Sequence, residues 1–158
     1  MVETRKRIAV LDDQPHYAAW IEVVKTYERC HRLMSVRFAK LGLSVAQHEV
    51  LLALGREEGL SQVALASRLL SAKSNVTALL KRLENASLIE RRPDAHDGRS
   101  QRVFLTPDGR KLLRKSSKVQ GEIVQLMTEG FEDEEAEALR RSMRRAGRSL
   151  ARALDEHV

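Results

Sequence analysis

Between Trp20 and Leu41 the apolar and aromatic positions fall at Trp20, Val24, Tyr27, His31, Met34, Phe38 and Leu41, alternating spacings of four and three. That rhythm predicts a long helix with a coiled-coil-like seam, because residues seven apart return to the same side of an α-helix. Just before it, Ile8 to Pro15 reads IAVLDDQP, an apolar run that closes on two adjacent carboxylates, Asp12 and Asp13. Such an ending raises the question of a phosphate or metal site at the end of a first parallel strand. No alternation of strands and helices comes after it, so the pair is read as capping or preceding the helix, with Pro15 marking its first turn.

The elements then shorten. In LSVAQHEVLLAL, Ser44 and Gln47 form a capping box, Leu43, Val50, Leu51 and Leu54 share one face, and Gly55 and Gly59 bracket the end. A short helix begins after Ser61, with Val63, Ala66, Leu69 and Leu70 expected inside. In SAKSNVTALLKRLENASLIERRP, Val76, Leu79, Leu80 and Leu83 stand at i, i+3, i+4 and i+7, a core-facing stripe. The other face carries Lys73, Ser74, Thr77, Ala78 and Lys81. Two short helices joined by a turn, the second small, polar and basic outside, meet the requirements of a helix-turn-helix: small side chains admit the helix to the major groove, and Ser, Thr, Asn and Lys reach phosphates and base edges. An ordinary amphipathic surface helix has the same pattern.

The stretch from Leu88 to Pro107 separates the two readings. Leu88, Ile89 and Glu90 begin a strand, RRPDAHDGRSQR reads as a hairpin, VFL returns with period two, and Thr106 and Pro107 open another helix as N-cap and first residue. A basic hairpin directly after a recognition helix is a wing, whose arginines lie along the backbone or enter the minor groove; the bland alternative is a solvated loop. Candidate DNA contacts are Ser71, Lys73, Ser74, Asn75, Thr77, Ala78 and Lys81 on the helix, with Arg92, Arg99 and Arg102 in the hairpin. The chain ends in a helix that is acidic from Glu132 to Glu137 and arginine-rich from Arg140 to Arg152, which complements its dipole. Its apolar residues, Leu139, Met143, Ala146, Leu150 and Leu154, form a second seam.

The fold class is therefore mainly α with a small β-hairpin wing: a winged helix-turn-helix between long N- and C-terminal dimerisation helices. The expected division is an extension over 1–15, a dimerisation helix over 16–42, a DNA-binding lobe over 43–106 and C-terminal dimerisation helices over 107–158. A single winged helix cannot cover two seams, so Trp20, Val24, Met34, Leu139, Met143, Leu150 and Leu154 are assigned to an isologous homodimer interface. Two recognition helices about one DNA turn apart would then read a palindrome.

Composition narrows the classes. The 158 residues make one domain of ordinary size, and 28 Lys and Arg against 22 Asp and Glu give a formal charge of +6, which weakly favours a polyanionic partner. No apolar run approaches a membrane span or a secretory core, which places the protein in the cytoplasm with no membrane partner. Cys30 is the single cysteine, so no internal disulfide is expected, and no Cys/His spacing suggests zinc. Asp12 and Asp13 lack a sheet, GREEG is not a phosphate loop, and no nucleophile and base are paired by motif; no catalytic residue, metal or cofactor is expected.

From Leu43 to Leu112 the chain resembles the MarR family of transcriptional regulators, most specifically in LASRLLSAKSNVTALLKRLE and LIERRPDAHDGRSQRVFLTPDG. The flanking helices occupy the family's dimerisation positions, so the likeness covers nearly all of the chain after the first dozen residues. It implies that Lys73, Ser74, Asn75, Thr77 and Lys81 lie on or beside the recognition surface, that Asp97 braces the wing, and that Arg99 at its tip enters the minor groove. Leu70 and Ser87 stand where the family often has glycine, so the turn before the recognition helix and the cap after it are expected to differ in detail. The resemblance also implies double-stranded DNA as partner and a small phenolic or carboxylate effector that releases a repressor from its operator. Trp20, Tyr27, His31 and His48 are the candidate effector contacts, against a plainer reading of the first three as dimer core and of His48 as exposed. Two alternatives stand beside it: an oxidant sensor acting through Cys30, whose neighbours Arg29 and His31 favour a thiolate but whose mid-helix place suits inert packing, and a winged helix used for protein contact.

Overall fold

The computed structural model of the chain describes residues 14–69, 75–94 and 100–156, in two compact units divided after Ile123. Helix α1 runs from Pro15 to Ala39 with Pro15 at its first position and Gln14 as N-cap, which makes no side-chain capping bond. Asp12 and Asp13 lie outside the described residues. The helix stops two residues before Leu41, where Gly42 takes φ +72° and the Leu43 amide donates to the Phe38 carbonyl at 3.0 Å. A glycine in the left-handed region ends a helix without the steric cost a Cβ would bring.

Helix α2, Val45–Arg56, opens on the expected capping box: the Gln47 amide donates to Ser44 Oγ at 3.1 Å, and the Ser44 amide donates back to Gln47 Oε1 at 2.9 Å. Gly55 lies in its last turn rather than past its end, where a Cβ would meet Leu113 Cδ2 at 2.4 Å. Then come the two-residue strand β1 (Leu60–Ser61), α3 (Gln62–Arg68) and α4 (Val76–Asn85). Strands β2 (Ile89–Pro93) and β3 (Gln101–Leu105) form the hairpin, and the antiparallel sheet is ordered β1-β3-β2. Helix α5 spans Pro107–Met127, and Thr106 caps it by accepting from the Gly109 amide at 3.0 Å.

The core of the first unit is aliphatic. Leu43, Val50, Leu51 and Leu54 are buried as their shared face requires, and so are Val76, Leu79, Leu80 and Leu83 of α4. Each such side chain contributes about 1.5–3 kcal/mol of transfer free energy. Ile89, Val103 and Leu105 close the core from the sheet. Phe38 is fully buried in this core, so the apolar row of α1 is not one seam along its length: its C-terminal end belongs to the lobe.

Two expectations are corrected. Val63 is 82% exposed and Leu65 is the buried residue of α3, because the helix turns Leu65 and Leu69 inward and Val63 falls on the opposite side. The sheet also has a third strand, β1, whose register Leu60↔Val103 and Ser61↔Arg102 places it beside β3. Two residues are too few to show a period.

Helix α6, Asp133–Asp155, begins with a capping box between Glu132 and Glu135, and Arg140 pairs with Glu137 one turn earlier at 2.7 Å. None of its residues is buried, and Leu139, Met143, Leu150 and Leu154 are all exposed. Among the described residues no helix is long and apolar enough to cross a membrane.

Candidate nucleic-acid interface

The outer face of α4 is the complement of its inner one. With Val76, Leu79, Leu80 and Leu83 turned into the core, helical geometry sends Thr77 and Lys81 to solvent and leaves Ala78 half-buried between them. Asn75, exposed, stands at the N-cap and makes no side-chain capping bond. Ser71, Lys73 and Ser74, with Leu70, lie outside the described residues, as do Asp97 and Arg99. The face in view is therefore Asn75, Thr77, Ala78 and Lys81, with no acidic side chain in the helix's first turn.

One contact ties this face to the helix before it. The side-chain amide of Gln62, first residue of α3, donates to Thr77 Oγ1 at 2.6 Å. The sequence does not single out Gln62, since a glutamine one place after a capping serine looks like any first-turn residue. Ser61 itself caps α3 by accepting from the Ala64 amide at 3.2 Å.

The hairpin shows where its arginines go. Arg92 and Arg102 face each other directly across β2 and β3. Like charges so placed repel, and each is answered separately. Arg92 pairs with Glu90 and lies over the Phe104 ring, 4.6 Å from its centroid. Arg102 binds the buried carboxylate of Asp94 and donates to the Gly59 carbonyl at 3.2 Å. The loop end of the hairpin is further closed by the Asp94 amide donating to the Ser100 carbonyl at 2.9 Å. Arg102, expected as a DNA contact, thus also clasps the wing to the chain entering α3, and Asp94 is a brace that the sequence does not distinguish from its acidic neighbours. Arg91, which the sequence pattern leaves without a role, lies with Nε 3.3 Å from Glu84 on α4. Both guanidiniums of the Arg92–Arg102 pair remain about half exposed, so the hairpin keeps cationic surface.

Of the four candidate effector contacts, Tyr27 and His31 lie against each other and the four do not converge on one site. Trp20 and Tyr27 are exposed along α1, Trp20 against Tyr17 and Tyr27 against His31, with ring centroids 5.4 Å and 6.0 Å apart. His48 is buried, not exposed: its ring packs on Phe38 at 4.5 Å, Nδ1 lies 2.9 Å from Ser116 Oγ and Nε2 lies 3.1 Å from Gln120 Oε1. Burial pushes its pKa below the ordinary histidine value, partly offset by the Gln120 contact and the Glu49 charge. The signal for this network is present in α5, where Ser116 and Gln120 interrupt the stripe Leu112, Leu113, Val119, Ile123. Two open clefts of about 300 Å³ and 270 Å³, one beside Glu49, Arg56 and Arg68 and one beside Gln62, Val63 and Arg91, are lined by none of the four. Among the described residues no cluster of His, Cys, Asp or Glu is placed to hold a metal ion.

This arrangement has known counterparts. The sequence profile described as MarR family matches residues 41–100. The transcriptional regulator HosA of Escherichia coli is 38% identical over 71 residues, which are 45% of this chain and 53% of HosA. The matched stretch thus spans about half the length of that relative. An organic hydroperoxide resistance transcriptional regulator of Bacillus subtilis is 31% identical over 117 residues, 74% of this chain and 75% of the relative. In fold, the chain is similar to BpsR of Bordetella bronchiseptica, a protein whose DNA binding is regulated by 6-hydroxynicotinic acid, with a TM-score of 0.73, 24% identity and coverage of 86% and 94%.

Proposed function

The chain belongs to the MarR family, and from that premise we propose that it is a homodimeric repressor that reads a palindromic operator and leaves it when a small aromatic or carboxylate effector binds. The observation that carries the DNA-binding part is the α4 face: Asn75, Thr77 and Lys81 project opposite a fully buried stripe, beside a hairpin that keeps two arginines half exposed. In this reading Ser71, Lys73 and Ser74 extend the major-groove face, Lys73 and Lys81 hold phosphates, and Arg99 reaches the minor groove from the wing with Asp97 behind it. In the same reading the dimer interface is supplied by the exposed Trp20 and the partly buried Val24 and Met34 of α1, Met34 also packing against the lobe's core, and by the exposed Leu139, Met143, Leu150 and Leu154 of α6.

For the effector, support comes from BpsR, which answers to an aromatic carboxylate. Trp20, Tyr27 and His31 offer it aromatic surface. His48 does not offer a free nitrogen, since both are engaged. A second reading takes support from the hydroperoxide-resistance regulator and places the sensor at Cys30. Against it, Arg29 and His31 are sequence neighbours of Cys30, and successive residues on a helix do not face each other, so neither is set against the sulfur.

A mobility-shift titration with the DNA upstream of the protein's own gene, with and without phenolic carboxylates and hydroperoxides, tests the whole reading. Binding that is released by an aromatic carboxylate, and equally in Cys30→Ser, is the expected result. Release by hydroperoxide that disappears in Cys30→Ser would transfer the assignment to the cysteine, and no binding at any salt concentration would refute DNA recognition.

A further inference from the structure

We propose that Gln62 is a positioning residue that biases Thr77 toward donating its hydroxyl hydrogen to DNA, so that the base read by Thr77 is preferentially one that presents an acceptor. The inference rests on the reading of α4 as the recognition helix and adds a specificity rule to it.

A threonine hydroxyl standing alone carries little information, because it rotates to donate or to accept as the base requires. Its neighbour here biases that choice. The Gln62 amide N–H, 2.6 Å from Thr77 Oγ1, occupies one of the two lone pairs of the hydroxyl oxygen, and by polarising the hydroxyl it makes the O–H a stronger donor and the oxygen a weaker acceptor toward the groove. Thr77 is exposed and makes no other hydrogen bond among the described residues. Gln62 is held in turn, since it comes directly after Ser61, which pairs with Arg102 in the sheet and caps α3. In the major groove, guanine offers N7 and O6, adenine N7 and thymine O4 as acceptors, whereas cytosine offers only its amino donor. Cytosine is thus the base that a donor-biased Thr77 favours least.

The test is binding-site selection by the full-length protein from a random duplex pool, followed by affinities for all four base pairs at the position whose preference Thr77→Val abolishes. The parent should favour an acceptor base over cytosine there by about fivefold or more. Gln62→Glu exchanges the donor for an acceptor that takes the Thr77 hydrogen and turns the oxygen's lone pairs to the groove. The preference should fall below about twofold or reverse toward cytosine and adenine, whose amino groups donate, while neighbouring positions keep theirs. Overall affinity also drops because a negative charge is added near phosphates, so the ratio at one position is the readout. In the Thr77→Val background, Gln62→Glu should move nothing, which separates the bias from direct reading by the new carboxylate.

An unchanged ratio in Gln62→Glu overturns the proposal. So does a shift that persists without the Thr77 hydroxyl, a Thr77→Val variant with every preference intact, or a Gln62→Ala variant that weakens all four base pairs equally, the mark of a phosphate contact. Each of those leaves DNA recognition standing; a parent that enriches no sequence removes the recognition reading itself. Both side chains lie outside the core, and circular dichroism of each variant checks that the fold is kept.

Discussion

Ser87, two residues beyond the end of α4, holds φ at +55°, and the Leu88 amide after it donates to the Leu83 carbonyl at 2.9 Å. The geometry is that of a helix end closed by a left-handed residue, the place where glycine is ordinarily used. A side chain in that region costs about 1–2 kcal/mol, and glycine's greater freedom in the unfolded chain returns part of that. Ser87→Gly should therefore raise stability by about 0.5–1 kcal/mol. The Thr106 hydroxyl bonds the Ser87 carbonyl, a backbone group that the change keeps. Urea unfolding with an unchanged m-value checks it; a midpoint at or below the parent's would show that the serine side chain contributes to the cap. Gly109 is the opposite case. A Cβ there would lie 1.9 Å from the Leu88 carbonyl oxygen, so the TPDG glycine is required by a close backbone approach, at ordinary φ.

Between elements, the informative contact is the histidine that joins α2 to α5. His48 has a native pKa below its unfolded value of about 6.5. In the interval between the two values the unfolded chain binds more protons than the native one. Its contribution to stability is thus fully present above about pH 6.5 and is lost as pH falls toward the native value. Thermal unfolding should show Tm falling more steeply below pH 6.5 in the parent than in His48→Gln, which does not titrate. Equal slopes would assign the acid sensitivity to other groups.

This contact also marks how far the sequence can be read. Capping at Ser44 and Thr106, the α4 stripe and the hairpin are legible because each depends on residues within a few positions of one another. The Val63 expectation fails because seven residues of helix give too little repeat to fix its phase, so Leu65 is passed over. β1, the Asp94–Arg102 clasp, the Gln62–Thr77 bond and the partners of His48 join residues from 8 to 72 positions apart, or are too short to have a pattern. The outer face of α4 is readable as the complement of its inner face; what holds Thr77 in place is not.

For the whole molecule the proposed homodimer turns on α6, where Leu150 and Leu154 are 67% and 68% exposed. In a chain acting alone, charge at such positions is nearly neutral, within about 0.5 kcal/mol. Buried by a second copy, the same change leaves unpaired charges in an apolar interface. Leu150→Glu with Leu154→Glu should consequently shift the protein from dimer to monomer or aggregate in sedimentation and abolish specific operator binding, since each half-site alone holds one recognition helix. A doubly substituted protein that sediments as a dimer with parental operator affinity would refute the interface assigned to α6.

The short strap from Gly59 to Gln62 bears on motion as well as on shape. Its four residues engage three structures in succession: the Gly59 amide and carbonyl are bound to Val103 and Arg102, Ser61 caps α3, and Gln62 holds Thr77. Release of β1 from β3 would free the cap and the α3–α4 bond in the same event, which makes the strap one cooperative opening unit in place of several local ones. Native-state hydrogen exchange should give the Gly59 and Ala64 amides a common opening free energy and a common denaturant dependence, and Asp94→Ala, by loosening Arg102 at the far end of the hairpin, should lower both together. Distinct values for the two amides would mean that the sheet and the helix pair fluctuate independently. With a common value, the lifetime of the outer face of α4 is set by the wing's sheet and not by α4 itself.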